Sequence, residues 1–304
     1  MKTFLKIWSL LTFLCIQIVG YRASAADYAV VGVSTAYLRA AADYESALET
    51  QELMGTVVRV IDKDRYWCKV ESPQPYTAWC TDRVLVPMDS AAVAVYMAAP
   101  KYICTAWVTS ILNAPSKQAQ VLSDMVLFNQ VRVVLKPNGK PLIKRGFAAV
   151  LMPDGTQAWV DRKDVTTQGE NERSFKATTQ GKREAMLRFS KRFLGIPYLW
   201  GGMSPKGFDC SGLVRTIYQH QGVVLPRNAS QMARLGREVK TEEMQPGDLM
   251  FFGVGDKVTH VAMYLGDGRF IHSSHRVRIN SISPSAEDVY ENMHKLLFCR
   301  NLLD

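Results

Sequence analysis

The chain has 304 residues, of which 47% are hydrophobic and 21% are charged, so it can form two or three domains with buried cores and is not composed like a disordered protein. Its formal net charge of +9 favours anionic partners, but the basic residues are scattered and form no nucleic-acid-binding motif. We therefore expect no nucleic-acid partner. The six cysteines contain no Cys-x-x-Cys pair, which argues against a zinc or thioredoxin-type site.

The first 25 residues have the pattern of a secretory signal peptide. A short basic region with Lys2 and Lys6 precedes an apolar run over residues 7–19, and Ala-Ser-Ala at residues 23–25 offers a cleavage site. The alternative, a transmembrane anchor, would need a longer apolar run. We therefore expect cleavage after Ala25 and export to the periplasm or the extracellular space. The mature chain would keep an odd number of cysteines, which leaves at least one thiol unpaired.

Two small β-barrels are expected in the first half of the chain, over residues 27–88 and 91–167. In the first, short β-like runs at 28–33, 55–61, 66–70 and 77–80 are separated by turn residues. The second is a weak internal repeat, in which 127–133 parallels 54–60 and 156–160 parallels 76–80. The offset between the copies grows by seven residues, which predicts an insertion around 137–145.

Two cysteines of the first barrel are placed symmetrically about a turn. Cys68 and Cys80 each lie six residues from Gln74, at the centre of the sequence Pro73-Gln74-Pro75. A hairpin centred there would make them direct cross-strand neighbours. An oxidising compartment would permit a disulfide between them. Two free, half-buried thiols are the alternative.

The last part of the chain, residues 182–304, is expected to be a separate α+β domain that follows a polar linker at 168–181. A helix is predicted from about Lys182 to Gly195, the residue that ends it. A second apolar helical pattern begins at Cys210, with Asp209 placed to cap it. The N-terminus of a helix stabilises a thiolate and lowers the pKa of a cysteine. Cys210 is therefore a candidate nucleophile, whereas an inert buried cysteine is the alternative.

A histidine pair follows in a predicted β-hairpin. His260 and His272 are twelve residues apart, and Gly266 at the turn lies midway between them. Such a register would place the two rings nearly opposite each other on one face. One ring can then accept the thiol proton while the other orients it. His220, His275 and His294 lack comparable support. A metal site built from His260, His272 and His275 has no carboxylate at ligand spacing, so no metal is expected.

Several motifs in residues 182–304 resemble those of the NlpC-type cell-wall cysteine peptidases, a papain-like family. The matching segments are Pro197-Tyr198-x-Trp200-Gly201-Gly202, Asp209-Cys210-Ser211-Gly212, Leu225-Pro226-Arg227, Gln245-Pro246-Gly247-Asp248-Leu249, the His260 hairpin and Phe270-Ile271-His272. The two barrels resemble bacterial SH3 domains more weakly. The combination is similar to the γ-D-glutamyl-L-diamino-acid endopeptidases of the dipeptidyl-peptidase VI type.

This resemblance implies a catalytic triad and a substrate site. The triad would be Cys210, His260 and His272. The substrate site is expected to comprise Tyr198, Trp200, Asp209, Ser211, Asn228 and a tyrosine of the first barrel, for which Tyr76 is the first candidate and Tyr44 the second. Relatives carry an acidic residue where this chain has Asn228, so selection of a free amine by charge is expected to be weaker here.

The expected fold class is α+β, with two small SH3-like β-barrels followed by a papain-like cysteine peptidase domain. The resemblance implies a cysteine endopeptidase that cleaves the γ-D-glutamyl-L-diamino acid bond of peptidoglycan peptides with a free N-terminal L-Ala. The alternatives are a general endopeptidase or amidase of the intact wall and a non-catalytic wall-binding protein. We expect a monomer without a cofactor, whose SH3-like barrels could contact cell-wall polymer.

Overall fold

The structure, a computed structural model, describes residues 27–73, 76–290 and 295–303. The expected signal peptide lies outside these residues. Within the three ranges, no helix combines the length and the apolar character needed to cross a membrane. Three large antiparallel sheets follow one another along the chain, and a short hairpin lies between the second and the third.

The first sheet has seven strands in the order β3-β2-β6-β5-β4-β1-β7. Alternate residues of neighbouring strands, such as Cys68 and Val70 in one and Ala78 and Cys80 in the next, point into a common core. The sequence patterns predicted four of these strands and missed β2, β3 and β7. The strands are Tyr28–Val31 (β1), Thr35–Arg39 (β2), Leu48–Leu53 (β3), Val57–Asp64 (β4), Trp67–Glu71 (β5), Thr77–Thr81 (β6) and Leu85–Met88 (β7).

The expected register of the β5–β6 hairpin is confirmed, because Cys68 and Cys80 are direct cross-strand partners. Both residues are buried in the barrel core. Both are present as free thiols rather than as a disulfide. The structure therefore matches the predicted register and the alternative of two unpaired thiols.

A second sheet repeats this arrangement after helix Ser90–Ala98 (α1). The predicted insertion is confirmed, since the extra residues between β11 and β13 contain a strand, β12, that pairs with β13. Gly55 and Phe128, which are equivalent in the two copies, both have positive φ, at 91° and 68°. The strands are Lys101–Cys104 (β8), Val108–Leu112 (β9), Val121–Val126 (β10), Gln130–Val133 (β11), Ile143–Lys144 (β12), Phe147–Leu151 (β13), Gln157–Asp161 (β14) and Val165–Thr167 (β15).

The polar stretch that was expected to act as a linker contains helix Gln168–Ser174 (α2). Thr167 caps it in a capping box with Glu170, so its polarity reflects a solvated helix. The next helix is Thr179–Ser190 (α3), which continues through a 3-10 turn at Lys191–Phe193. It begins three residues earlier than predicted, because Thr178 accepts a hydrogen bond from the amide of Gly181 at 3.1 Å.

The third sheet has the order β18-β23-β19-β20-β21-β22. Helix α4 buries Leu213, Val214 and Ile217 in one cluster with Val261 and Ile271 of this sheet, and this packing fixes the start of the helix beside β20. The elements are Met203–Ser204 (β16), Gly207–Phe208 (β17), Cys210–Gln219 (α4), Ala229–Met232 (α5), Arg237–Val239 (β18), Leu249–Val254 (β19), Lys257–Gly266 (β20), Arg269–Ser274 (β21), Arg276–Ser281 (β22) and Lys295–Asn301 (β23).

Strand β3 of the first barrel contacts the C-terminal part of the chain directly. Thr50 accepts a hydrogen bond from Nε of Arg227 at 2.7 Å, and Gln51 accepts one from the amide of Met203 at 2.9 Å. Gly201 approaches this strand so closely that a Cβ there would lie 2.9 Å from Leu48 Cγ. The first barrel is therefore held against the segment that surrounds Cys210.

Candidate active site

Cys210 is the first residue of α4, as the sequence predicts. The Asp209 side chain caps the helix by accepting a hydrogen bond from the amide of Gly212 at 2.7 Å. Position 212 has to be glycine, because a Cβ there would lie 2.0 Å from the carbonyl oxygen of Gly202. The helix can therefore pack tightly against the glycine-rich turn before it.

The carboxylate of Asp209 is fully engaged by protein groups. It forms a buried ion pair with Arg227 and also accepts hydrogen bonds from the amide of Gly201 at 3.1 Å and the hydroxyl of Ser211 at 3.2 Å. Arg227 in turn donates to the Ser211 hydroxyl at 2.9 Å. Asp209 and Ser211, both predicted to bind substrate, are thus bound to each other and to Arg227, so they brace the helix start.

The environment of Cys210 differs from the sequence expectation of a lowered pKa. Burial and the neighbouring Asp209 carboxylate raise the pKa of the Cys210 thiol to about 12, although hydrogen bonds from the backbone of Val261 and Ser211 act in the opposite direction. Cys210 therefore rests as a neutral thiol, and a base has to remove its proton before it can act as a nucleophile.

The two predicted histidines contact each other, although not in the predicted register. The hairpin pairs Tyr264 with Phe270 and turns at Asp267-Gly268 rather than at Gly266, so Ala262, and not His260, lies opposite His272. The two histidines are therefore diagonal neighbours. Nε2 of His260 nevertheless lies 2.8 Å from Nδ1 of His272, because diagonal side chains on one face remain within reach. Burial lowers the pKa of His272 to about 4, so this ring is neutral.

Cys210 and His260 open onto one cavity of about 710 Å³. This volume falls in the range of small-molecule and peptide sites. The predicted substrate residues Tyr198, Trp200, Asp209, Ser211 and Asn228 also line it, and Trp200 is 65% exposed. Further lining residues are Arg227, Ala229, Ser230, Lys257, Val258, Thr259, Ser273, Ser274, His275 and Tyr290.

The first barrel contributes one wall of this cavity through Glu49 and Tyr76. The Tyr76 hydroxyl donates a hydrogen bond of 2.5 Å to Oε2 of Glu49, and it also contacts the side chain of Asn228. Burial and the adjacent Glu49 raise the pKa of Tyr76 to about 12, which keeps the hydroxyl protonated. The first tyrosine candidate thus lies at the cavity, whereas Tyr44 packs on Tyr66 and does not line it.

Sequence reasoning missed Glu49 and assigned no role to Arg227. Glu49 lies in a strand that the β-patterns did not reveal, and only the packing of β3 against residue 201 brings it to the cavity. Its carboxylate supplies the negative charge that Asn228 lacks. The cavity therefore has an acid that the sequence did not reveal, and the weaker selection by charge expected from Asn228 stays a prediction.

The remaining histidines lie in different surroundings. His275 lines the cavity, and His220 stacks on Phe189 with ring centroids 3.9 Å apart. His294 lies outside the described residues. In the part of the chain that the structure covers, no cluster of three or more His, Cys, Asp or Glu side chains could hold a metal ion.

Comparisons with known proteins agree with this arrangement. The chain matches the NlpC/P60 family over residues 195–295 and the bacterial SH3 domain over 34–85. A Bacillus cereus protein named gamma-D-glutamyl-L-lysine dipeptidyl-peptidase is 34% identical over 252 residues, which cover 78% of this chain and 70% of that protein. Dipeptidyl-peptidase 6 of Lysinibacillus sphaericus is 26% identical over 264 residues, which cover 84% of this chain and 91% of that protein.

A solved structure extends the likeness to the whole fold. The crystal structure of an NlpC/P60 family protein from Bacillus cereus covers 91% of this chain and 100% of its own, with 26% identity and a TM-score of 0.74. The predicted fold class is confirmed: a β-rich SH3-like region precedes a papain-like domain. From the sequence, the fold and these matches together, the chain belongs to the NlpC/P60 family of cysteine peptidases.

Proposed function

We propose that the protein is a cysteine endopeptidase that cleaves the γ-D-glutamyl-L-diamino acid bond of peptidoglycan peptides with a free N-terminal L-Ala. Relatives named gamma-D-glutamyl-L-lysine dipeptidyl-peptidase support the substrate class. In this proposal Cys210 is the nucleophile, His260 is the base and His272 orients His260.

The reaction proceeds through an acyl-enzyme. His260 removes the thiol proton of Cys210, and the sulfur attacks the γ-carbonyl carbon of the D-glutamyl residue. The backbone groups of Ser211 and Val261 that hydrogen-bond the sulfur stabilise the thiolate as it forms. The protonated His260 then donates its proton to the leaving amine. Water, deprotonated by the same ring, finally releases the L-Ala-D-Glu product.

The choice of substrate rests on one observation: the first barrel places the carboxylate of Glu49 in one wall of the cavity. Glu49 and Tyr76 stand on the same cavity as Cys210, and Tyr76 holds the Glu49 carboxylate at 2.5 Å. A free α-amine fits this wall, because an ammonium can form a charge-assisted hydrogen bond with Glu49. A substrate with an acylated N-terminus would lose that charge and would bring bulk against the Tyr76 ring.

Three peptides test this proposal when their digestion is followed by mass spectrometry. They are the free tripeptide L-Ala-γ-D-Glu-diaminopimelate, its N-acetyl form and the same peptide attached to a muramyl sugar. We expect efficient cleavage of the first peptide alone. A Cys210→Ala protein is the matched control and should cleave none of them.

The same digests separate the alternatives. Equal cleavage of the muramyl-linked and free peptides would contradict the closed wall and identify a general wall endopeptidase. Release of the stem peptide from the sugar would identify an amidase. If no peptide is cleaved but the protein sediments with purified cell wall, it is a wall-binding protein.

We further propose the domain limits 27–88, 91–167 and 182–304, with 168–181 as connector. We also propose export as a monomer that meets its peptides in the periplasm or outside the cell. The match to a bacterial SH3 domain supports contact of the first barrel with cell-wall polymer. Measurement of wall binding by a variant without catalytic activity, Cys210→Ala, separates such contact from substrate capture.

A further inference from the structure

A continuous chain of hydrogen bonds runs behind His260, away from the cavity. His260 Nε2 lies 2.8 Å from His272 Nδ1, and His272 Nε2 lies 2.9 Å from Asn280 Oδ1. Asn280 Nδ2 in turn lies 2.7 Å from the carbonyl oxygen of Asp288. His272 and Asn280 are buried, with 0% and 8% exposure, so water does not compete strongly for these contacts.

The last group in this row of hydrogen bonds, the carbonyl of Asp288, fixes the direction in which each hydrogen bond is donated. A backbone carbonyl can only accept, so the Asn280 atom that faces Asp288 has to be the NH₂ group, and Oδ1 has to face His272. Oδ1 can only accept in its turn, so the proton of His272 lies on Nε2. His272 Nδ1 is then the acceptor for His260 Nε2–H, and the nitrogen of His260 that lacks a proton is Nδ1.

The opposite direction is excluded by the same contacts. A His272 tautomer with its proton on Nδ1 would have to accept at Nε2 from the NH₂ group of Asn280. That rotation would turn Oδ1 toward the carbonyl of Asp288, so that two acceptors would face each other in a buried site. It would also place a proton on Nδ1 of His260, the nitrogen that is needed as base.

The carbonyl of Asp288 is itself held in place. It also accepts a hydrogen bond from the amide of Ser281 at 3.1 Å, and the Asp288 carboxylate forms an ion pair with Arg269. The amide of Tyr290 donates to the carbonyl of Ser281 at 3.0 Å. The Tyr290 ring then covers the histidines, with centroids 6.0 Å from His260 and 4.8 Å from His272. The segment after β22 therefore supplies a fixed acceptor and an aromatic cover.

We propose that Asn280, anchored by the carbonyl of Asp288, is a positioning residue that sets the tautomer of His272 and thereby makes Nδ1 of His260 the base. Asn280 does not line the cavity, so it acts only through His272. The proposal rests on the proposed function for its effect on turnover. The tautomers themselves are a property of the resting protein and can be measured without substrate.

Imidazole nitrogen NMR of the wild-type protein is the first test. We expect the proton of His272 on Nε2 and that of His260 on Nε2. A wild-type His272 protonated on Nδ1 would overturn the proposal without any variant. This result is independent of whether the protein cleaves peptidoglycan peptides, so it separates a failure of this inference from a failure of the proposed function.

Two substitutions at position 280 are the second test. Asn280→Leu keeps the side-chain size but removes the acceptor, whereas Asn280→Asp keeps an acceptor for His272 Nε2–H. We expect Asn280→Leu to lower kcat by about 10–100-fold with little change in KM, as for other groups that orient a histidine from behind. Its His272 signals should show mixed tautomers. Asn280→Asp should retain the wild-type tautomer and a kcat well above that of Asn280→Leu, although it loses the donor to the carbonyl of Asp288.

Ser281→Ala is the matched control, because it alters the neighbouring side chain of the same strand and leaves the backbone contact with Asp288 intact. We expect nearly wild-type kcat and tautomers. The rate at which iodoacetamide alkylates Cys210 should fall most in Asn280→Leu, and this readout needs no substrate. Equal losses in Asn280→Leu and Asn280→Asp, with wild-type histidine signals in both, would show a merely structural role and overturn the proposal.

Discussion

In the proposed mechanism, the reactivity of Cys210 depends on access and on a neighbouring base rather than on a low resting pKa. The Cys80, Cys104 and Cys299 thiols share its raised pKa of about 12, and burial is the main cause in each. Cys210 differs from them because it opens onto a cavity that His260 also lines. We therefore propose that the thiolate forms only when His260 takes the proton.

This difference predicts selective labelling. At neutral pH iodoacetamide should modify Cys210 at least tenfold faster than any other cysteine, since only a thiol with access and a base is converted to the reactive form. Peptide mapping after short exposure measures the rates. His260→Ala should slow the labelling of Cys210 and leave the other cysteines unchanged. Faster labelling of Cys68 or Cys299 would contradict this account of the site.

The carboxylate of Glu49 should select substrates by charge. Glu49→Gln removes the charge but keeps a group that can accept from Tyr76. Because charge-assisted hydrogen bonds are about twice as strong as neutral ones, we expect about a tenfold loss of kcat/KM for free-amine peptides. Glu45→Gln, on an exposed loop of the same barrel, is the control and should change nothing. An unchanged kcat/KM in Glu49→Gln would place the amine elsewhere.

The sequence could reveal those residues whose roles follow from local pattern. Cys210 stands before an apolar helical repeat, and the spacing of His260 and His272 is that of a hairpin. Glu49 and Arg227 could not be found in this way. Their roles come from contacts between segments that are far apart in the chain, and no local periodicity records such contacts.

At the scale of elements, the hairpin that carries His260 and His272 was predicted correctly, but its predicted register was wrong. The turn lies at Asp267-Gly268, beyond the expected centre at Gly266, and this displacement moves His272 away from the position opposite His260. The bulge before the turn shifts the pairing back by one residue, which leaves the two histidines as diagonal neighbours on one face. The contact between the rings survives because imidazole can span the diagonal. The helix at Cys210 was located well because its cap and its apolar face agree.

A buried ion pair joins helix α3 to the start of β19. Arg183 and Asp248 are 2% and 1% exposed and lie 2.8 Å apart, and Arg183 also donates to the carbonyl of Pro246 at 2.7 Å. These contacts explain the motif Gln245-Pro246-Gly247-Asp248 as structural. The pair fixes the start of β19, the strand that pairs with the His260 strand β20.

Loss of one partner of this pair should be costly. Asp248→Ala leaves a buried guanidinium without its counter-charge, so we expect the free energy of unfolding to fall by about 3–5 kcal/mol. Urea denaturation provides the measurement. Glu71→Ala, which breaks the largely exposed pair with Arg59, should cost no more than about 1 kcal/mol. A similar small loss for both variants would show that the buried pair does not hold the sheet.

At the scale of the whole molecule, acid should destabilise the fold through two histidines. Burial lowers the pKa of both His272 and His220 from 6.5 to about 4. Between these values the unfolded chain binds more protons than the folded one, so stability falls as the pH drops from 6.5 to 4. His272 alone can account for about 3 kcal/mol. Burial raises the pKa of Glu52, which works in the opposite direction.

A comparison of variants isolates the histidine contribution. His220→Gln removes one of the two depressed groups and should make the loss of stability between pH 6.5 and pH 4 smaller, while the contribution of Glu52 stays the same. Denaturant titrations at several pH values give the free energies of unfolding. An acid-induced loss that is as large in His220→Gln as in the wild type would contradict the role of His220.

The first barrel supplies one wall of the cavity, and the C-terminal part of the chain supplies the rest. Lys206 extends this assembly: its ammonium lies 2.9 Å from the hydroxyl of Ser34 in the first barrel and 2.7 Å from the carboxylate of Asp124 in the second. The tandem barrels could be predicted from the internal repeat. Their placement could not, since it depends on side chains of three separate segments.

Hydrolysis of the tripeptide L-Ala-γ-D-Glu-diaminopimelate in water with heavy oxygen tests the central claim most directly. We expect two products, free diaminopimelate and L-Ala-D-Glu with one heavy oxygen atom in the γ-carboxyl group, and no product with Cys210→Ala. This pattern identifies both the bond and the acceptor. Release of free L-Ala, heavy oxygen in any other position, or an intact tripeptide after prolonged incubation with the wild-type protein would contradict the account.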